Sequence, residues 1–179
     1  MPADKMAEEV GGFANFDKGL GGNFEIDGEY LAFPYNIETL IGYVNVENAK
    51  AANIDTTQYI EFTSLGYNQI LTTVHDAWYG VAFTNSAKFD LLSEDLKSDG
   101  IKEWSELTDE QKSLFEGLYN YWKAHKENNT SLWDKDAAGG YIDEQFKTGG
   151  SDVIKIDGPW ATTTVKDLVG DASNMEIIP

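Results

Sequence analysis

The chain contains no cysteine. A disulfide framework, a thiolate metal site and a cysteine nucleophile are therefore excluded. Histidine is nearly as scarce, with only His75 and His125. A Ser-His-Asp machine would need one of them, and neither a Gly-x-Ser-x-Gly elbow nor a His-Glu-x-x-His pair supports such chemistry. Positive charge is also short. Thirteen Lys and Arg stand against 31 Asp and Glu, a formal net charge of −18. That surface repels phosphate backbones and anionic membranes, which discounts nucleic acid and membrane as partners. No apolar run approaches the length of a membrane span. The opening Met1-Pro2-Ala3-Asp4-Lys5 has no apolar signal core and no lipidation cysteine. Either the protein is cytoplasmic or its targeting segment lies outside this chain.

What is present fits a folded domain. The 179 residues are 41% hydrophobic and 25% charged, the balance of a globular protein with a substantial core. Aromatics reach 13%, with five Trp and nine Tyr. Trp and Tyr combine apolar faces with polar edges, which suits interfaces and ligands such as sugars, although many will fill the core. The abrupt start and the strand-like end, Met175-Glu176-Ile177-Ile178-Pro179, suggest a domain taken from a longer chain.

Strands and helices alternate along the chain, which predicts an α/β fold with a mixed sheet flanked by helices. A short helix is expected over 4–10, with Met6 and Val10 on one face. Gly11 to Gly22 reads as an irregular glycine-rich loop, and it lacks the Gly-Lys-Ser/Thr ending of a phosphate loop. Phe24 to Phe33 reads as a hairpin turning at Asp27-Gly28. Thr39 to Asn45 is apolar and β-prone, a central strand. Helices are expected at 46–53 and 56–65, and a strand at 69–74. Trp78, Tyr79, Ala82 and Phe83 recur at helical spacing, with Asp76 placed to cap. Ser93 to Gly100 reads as an acidic surface excursion. Thr108-Asp109-Glu110-Gln111 matches a capping box and opens the clearest helix, with Leu107, Leu114, Leu118, Tyr121 and His125 facing the core. His125 falls near its end, where a cation is favourable. Tyr141 to Lys147 follows as a short helix.

Val153-Ile154-Lys155-Ile156-Asp157-Gly158-Pro159-Trp160 reads as a buried strand, a tight break and a helix start with Pro at its first position. The helix runs through Leu168 and stops at Gly170. Ligands in open α/β sheets bind beyond the carboxyl ends of strands, which puts Trp160 at a ligand position or, alternatively, in the core. His75-Asp76-Ala77-Trp78-Tyr79 occupies a second strand-to-helix junction. There Asp76 is either a helix cap or a polar ligand contact beside two stacking aromatics. Glu38, just before the central strand, can accept hydrogen bonds from sugar hydroxyls or be a solvated loop charge. Asp134 to Gln145 superficially resembles a calcium loop, but Ala138 and Gln145 stand where oxygen ligands are required. No metal or cofactor is expected.

Two motifs carry a resemblance. The first is Phe33-Pro34, Glu38 and an apolar strand ending in Tyr43-Val44-Asn45. The second is Phe146-Lys147-Thr148-Gly149, a strand, then Asp157-Gly158-Pro159-Trp160. In order and spacing they resemble bacterial extracellular solute-binding proteins of the maltose/maltodextrin-binding type. Members have two α/β lobes with sugar in the cleft between them. The resemblance implies residues 1–29 as a remnant of the first lobe and the crossover approach, and 30–179 as the second lobe with its crossover strand.

It implies residue roles too. Trp160 matches the aromatic that stacks on a sugar ring, and Glu38 the acidic residue that binds hydroxyls. Asp4 and Lys5 match an Asp-Arg pair, with Lys losing the bidentate fork. Asp76, Trp78 and Tyr79 match an acidic-Pro-aromatic-aromatic segment, with Ala77 in place of Pro. The expected function is capture of a maltodextrin-like oligosaccharide outside the cell or in the periplasm for the membrane permease of an ABC importer, without enzymatic activity. The alternative is a carbohydrate-active hydrolase built on a carboxylate pair, since 31 acids offer many pairs. Strand edges left without partners would favour a homodimer.

Overall fold

The computed structural model describes residues 3–12, 25–32, 38–89 and 102–178, and it omits the side chains of Asp4, Glu25 and Ile26. The expected loop beyond Gly12, the 33–37 part of the first motif and the acidic stretch 93–100 lie outside the described residues. The chain divides into two compact units, 1–39 and 40–179.

In the first unit, α1 (Ala3–Glu8) buries Ala3 and Ala7, four residues apart on one face. Met6 and Val10, four residues apart, are exposed. Strands β1 (Glu25–Ile26) and β2 (Glu29–Tyr30) pair antiparallel across Asp27-Gly28. Both turn residues have positive φ, 54° and 81°, the conformation for which Asp-Gly is preferred in two-residue hairpins.

The second unit is built on β3 (Ile41–Asn45), which runs through the middle of a four-stranded sheet. On one side it pairs antiparallel with β5 (Ile154–Asp157), Tyr43 opposite Lys155. On the other it pairs antiparallel with β6 (Met175–Ile178), Tyr43 opposite Ile177. β4 (Ile70–Leu71) lies parallel to β5, giving the order β4-β5-β3-β6. The flanking helices are α2 (Val46–Ala52), α3 (Ala77–Ser86), α4 (Asp109–Glu127), α5 (Ala138–Phe146) and α6 (Thr162–Val169). This is the expected mixed α/β arrangement of a sheet flanked by helices. Among the described residues, no helix is long and apolar enough to cross a membrane.

Alternation along β3 divides the core. Tyr43 packs with Phe146, Ala161, Val165 and Val169 on one face. Val44 packs with Ala49, Ile70, Val153 and Ile154 on the other. That second face opens into a cavity of about 770 Å³ whose walls include Ile156, Ile178, Phe83 and Leu114. A third cluster, Leu71, Tyr121, Leu132 and Ile142, joins α4 and α5 to the β4 edge.

Three buried asparagines tie loops to the sheet. Asn45 donates to the Phe146 carbonyl (2.8 Å) and accepts from Asn48 N–H (3.1 Å), capping α2, and from Asn174 Nδ2 (3.1 Å). Asn48 Nδ2 donates to the Asp152 carbonyl (2.8 Å), and its Oδ1 accepts from Gly149 N–H (2.9 Å). Asn174 donates to Thr148 Oγ1 (2.8 Å) and accepts from Glu47 N–H (2.7 Å).

Two expected elements shrink. The helix over 56–65 is a single 3-10 turn, Phe62–Ser64. Asp55 Oδ1 accepts from both the N–H (3.0 Å) and the hydroxyl (2.7 Å) of Thr57, a local closure that competes with helix. The strand over 69–74 is confined to Ile70–Leu71. Just beyond it, Thr72 N–H donates to Tyr121 Oη (3.3 Å) and Val74 N–H turns back to Thr72 (3.0 Å), which takes the backbone out of the ladder.

Candidate functional site

The parallel pairing of β4 and β5 sends both strands out of the same end of the sheet. Each is followed by a break and a helix, so the two junctions singled out in the sequence become neighbours. After β5, Gly158 leads into a 3-10 turn at Pro159–Ala161 and then α6, which stops at Gly170 with φ 78°. Ala161 is drawn into the core with Val165, and Trp160 is left 50% exposed. The core alternative for Trp160 is thus set aside. After β4, Asp76 caps α3 by accepting from Trp78 N–H (2.8 Å). Trp78, at the start of that helix, is 53% exposed. The Trp78 and Trp160 ring centroids lie 6.3 Å apart at an interplanar angle of 48°.

A charged and hydrogen-bonded layer runs between these junctions. Tyr79 donates its hydroxyl to Asp157 Oδ1 (3.5 Å). Partial burial and the Asp157 charge raise the Tyr79 pKa, so this hydroxyl stays protonated. Asp157 Oδ1 also accepts from Gly158 N–H (2.8 Å). Asp157 Oδ2 meets Lys155 Nζ (3.3 Å), which in turn meets Asp143 Oδ1 (3.1 Å). Tyr43, opposite Lys155 on β3, donates its hydroxyl to the Gly158 carbonyl (2.9 Å) and shares a bond with Thr162 Oγ1 (2.9 Å). The turn that carries Trp160 is therefore fixed by bonds to β3 and by its own preceding aspartate.

Trp160, Trp78 and Tyr79 are brought to one end of the sheet, and Asp76 begins the helix that bears two of them. Glu38, Asp4 and Lys5 belong to the other unit. Glu38 and Lys5 are exposed, and Asp4 follows Ala3 on α1. The sequence reading missed Tyr43, Asp157, Lys155 and Asp143 as supports. A usable signal existed for one pair, because Lys155 and Asp157, two apart on a strand, share a face.

His125 departs from its expected role. It is 1% exposed, with Nε2 donating to the Tyr67 carbonyl (2.9 Å) and Nδ1 bonded to Thr130 Oγ1 (2.8 Å). Burial lowers its pKa, so it is a neutral core histidine rather than a helix-end cation. The rings of Tyr67, Tyr121, Trp133 and Tyr141 surround it. Asp134 Oδ1 accepts from Asp136 N–H (2.9 Å) and Ala137 N–H (3.1 Å), which closes the turn before α5. Among the described residues no cluster of three or more His, Asp or Glu could hold a metal ion.

No protein-family model matches the chain, and no curated protein matches it in sequence. Solved structures do match in fold. The maltose-binding periplasmic protein MalE of Listeria monocytogenes, solved with maltose, aligns over 100% of this chain with a TM-score of 0.58 and 16% identity. MalX of Streptococcus pneumoniae, solved with maltopentaose, aligns over 92% at 0.59 and 16% identity. The GacH receptor of Streptomyces glaucescens, solved unliganded and with acarbose, aligns over 93% at 0.60 and 19% identity. The chain spans 46%, 44% and 43% of these proteins respectively, somewhat under half of each. The chain thus shares the mixed α/β fold of part of these sugar-bound proteins.

Proposed function

We propose that this chain is the sugar-binding lobe of a carbohydrate importer's solute-binding protein. The observation that carries the reading is the pair of half-exposed indoles, Trp78 and Trp160, set side by side beyond the carboxyl ends of two parallel strands. Sugar rings present apolar faces that stack on such indoles and hydroxyls that meet planar polar groups. The ligand is a neutral, maltodextrin-like oligosaccharide, in keeping with the sugars bound by the fold neighbours. Trp160 stacks on one ring and Trp78 on the next, with Tyr79 at the edge. Asp76 serves hydroxyls beside the indoles, and the sequence resemblance gives hydroxyl-binding roles to Glu38, Asp4 and Lys5 within their own unit. The chemistry is capture and release, with no bond broken. Delivery is to the membrane permease of an ABC importer, from outside the cell or the periplasm.

Within the four-stranded sheet as described, β4 and β6 form the two edges. Pairing of two copies along such an edge gives a homodimer; a monomer at every concentration in solution scattering removes that part of the proposal.

Titration with maltotriose followed by nuclear magnetic resonance tests the reading. Trp160→Ala and Trp78→Ala are each expected to weaken binding about tenfold or more, since losing a stacking ring costs on the order of 1.4 kcal/mol. Unchanged affinity in both variants would refute it.

A further inference from the structure

We propose that Gly158 is a positioning residue for Trp160: the missing β-carbon is what lets the indole fold back over its own turn and leave its other face to solvent. The inference rests on the reading of Trp160 as a sugar-stacking residue. At Gly158, φ is −96° and ψ is 172°, extended backbone that any residue adopts without strain. The backbone therefore does not demand glycine. The indole does. The three atoms nearest to where a β-carbon on residue 158 would sit are Cη2, Cζ3 and Cε3 of Trp160, all well inside van der Waals contact.

The backbone has no room to yield. Gly158 N–H is bonded to Asp157 Oδ1 (2.8 Å), and its carbonyl accepts from the Tyr43 hydroxyl (2.9 Å) and from Ala161 N–H (3.0 Å). Pro159 fixes the next φ. A methyl group at position 158 must therefore push the ring away rather than move the turn. The indole, displaced from the turn, also leaves its place beside Trp78. A ring held in place before the ligand arrives spares the ligand the cost of ordering it.

The test is a cycle of four proteins: the unaltered chain, Gly158→Ala, Trp160→Ala and the double variant. In the unaltered chain without ligand, a Gly158 Hα resonance is shifted upfield by the indole ring current, and that shift vanishes in Trp160→Ala. In Gly158→Ala, cross-relaxation between the Trp160 six-membered ring and residue 158 is lost while the sheet amide spectrum stays in place. Maltotriose affinity falls about threefold to tenfold, as expected for one side chain that must now be ordered on binding. In the Trp160→Ala background the same glycine substitution leaves the melting temperature unchanged or slightly raised, because alanine only restricts the unfolded chain there.

Two results would overturn the proposal. One is a Gly158→Ala variant that keeps its ring contacts and its affinity. The other is an equal loss of melting temperature with and without the indole, which would place the role in the backbone. The sugar reading fails separately: if Trp160→Ala and Trp78→Ala both bind maltotriose as the unaltered chain does, the platform is not used, while the ring-current measurement still decides the role of Gly158.

Discussion

Asp152 precedes β5 with its side chain wholly buried and neither carboxylate oxygen hydrogen-bonded. The amides of Ile154, Leu71 and Val153 and the Lys155 ammonium act to lower its pKa, but burial outweighs them and raises it well above the ordinary 3.8. Tyr121 and Tyr141 are the other titratable groups that feel its charge. The sign follows. Below the ordinary carboxylate value both folded and unfolded chains hold the proton. As pH rises, the unfolded chain releases it first, so stability is lost between about pH 4 and the raised folded value. Asp152→Asn removes that penalty. It is expected to stabilise the protein by about 1–3 kcal/mol at pH 7.5 and to do little at pH 4. Thermal melts of both proteins at the two pH values check this, and equal differences at both would contradict it. His125 works in the opposite sense, since stability held by its neutral ring is lost as pH falls below the ordinary 6.5. The variant-minus-parent difference isolates Asp152. At this scale the sequence spoke where partners are close along the chain, as in the Asp76 cap. It was silent on Tyr43 and Asp143, whose partners lie across the fold.

Among elements, the junction of β3 with α2 holds the second unit together. Asn45, at 0% exposure, ends the strand, caps the helix and bonds both the Phe146 carbonyl and Asn174. Asn45→Ala leaves several buried donors and acceptors unpaired and is expected to cost about 2–4 kcal/mol. Urea unfolding measures it, and a loss under about 1 kcal/mol would argue against the network. The long helix α4 was legible because Thr108 and Gln111 form a reciprocal cap, Gln111 N–H to Thr108 Oγ1 and Thr108 N–H to Gln111 Oε1, both 3.2 Å. The central strand was legible from its apolar, β-prone run, Thr39 to Asn45. The 56–65 helix was misread because Asp55 and Thr57 form a local turn that helix spacing does not reveal. The length of β4 was misread because Tyr121, far along the chain, takes the Thr72 amide.

At the scale of the sheet, one topological fact brings the residues of the candidate site together. β4 and β5 run parallel, so two junctions that are separate in sequence open at the same end of the sheet. The α/β class was legible from alternation, but that pairing was not, because strand order is set by packing over long separations. Two half-exposed indoles form an open surface, so the proposed sugar binding is expected at about millimolar strength, roughly −4 kcal/mol. Nuclear magnetic resonance tolerates that range. The most direct measurement is a titration with maltotriose and with a non-glucose oligosaccharide, following the indole N–H signals of all five tryptophans. The account predicts that maltotriose moves Trp78 and Trp160 and leaves Trp104, Trp122 and Trp133 in place. If none of the five moves in the folded protein, or if Trp104 and Trp122 move instead, the paired indoles are not a sugar platform.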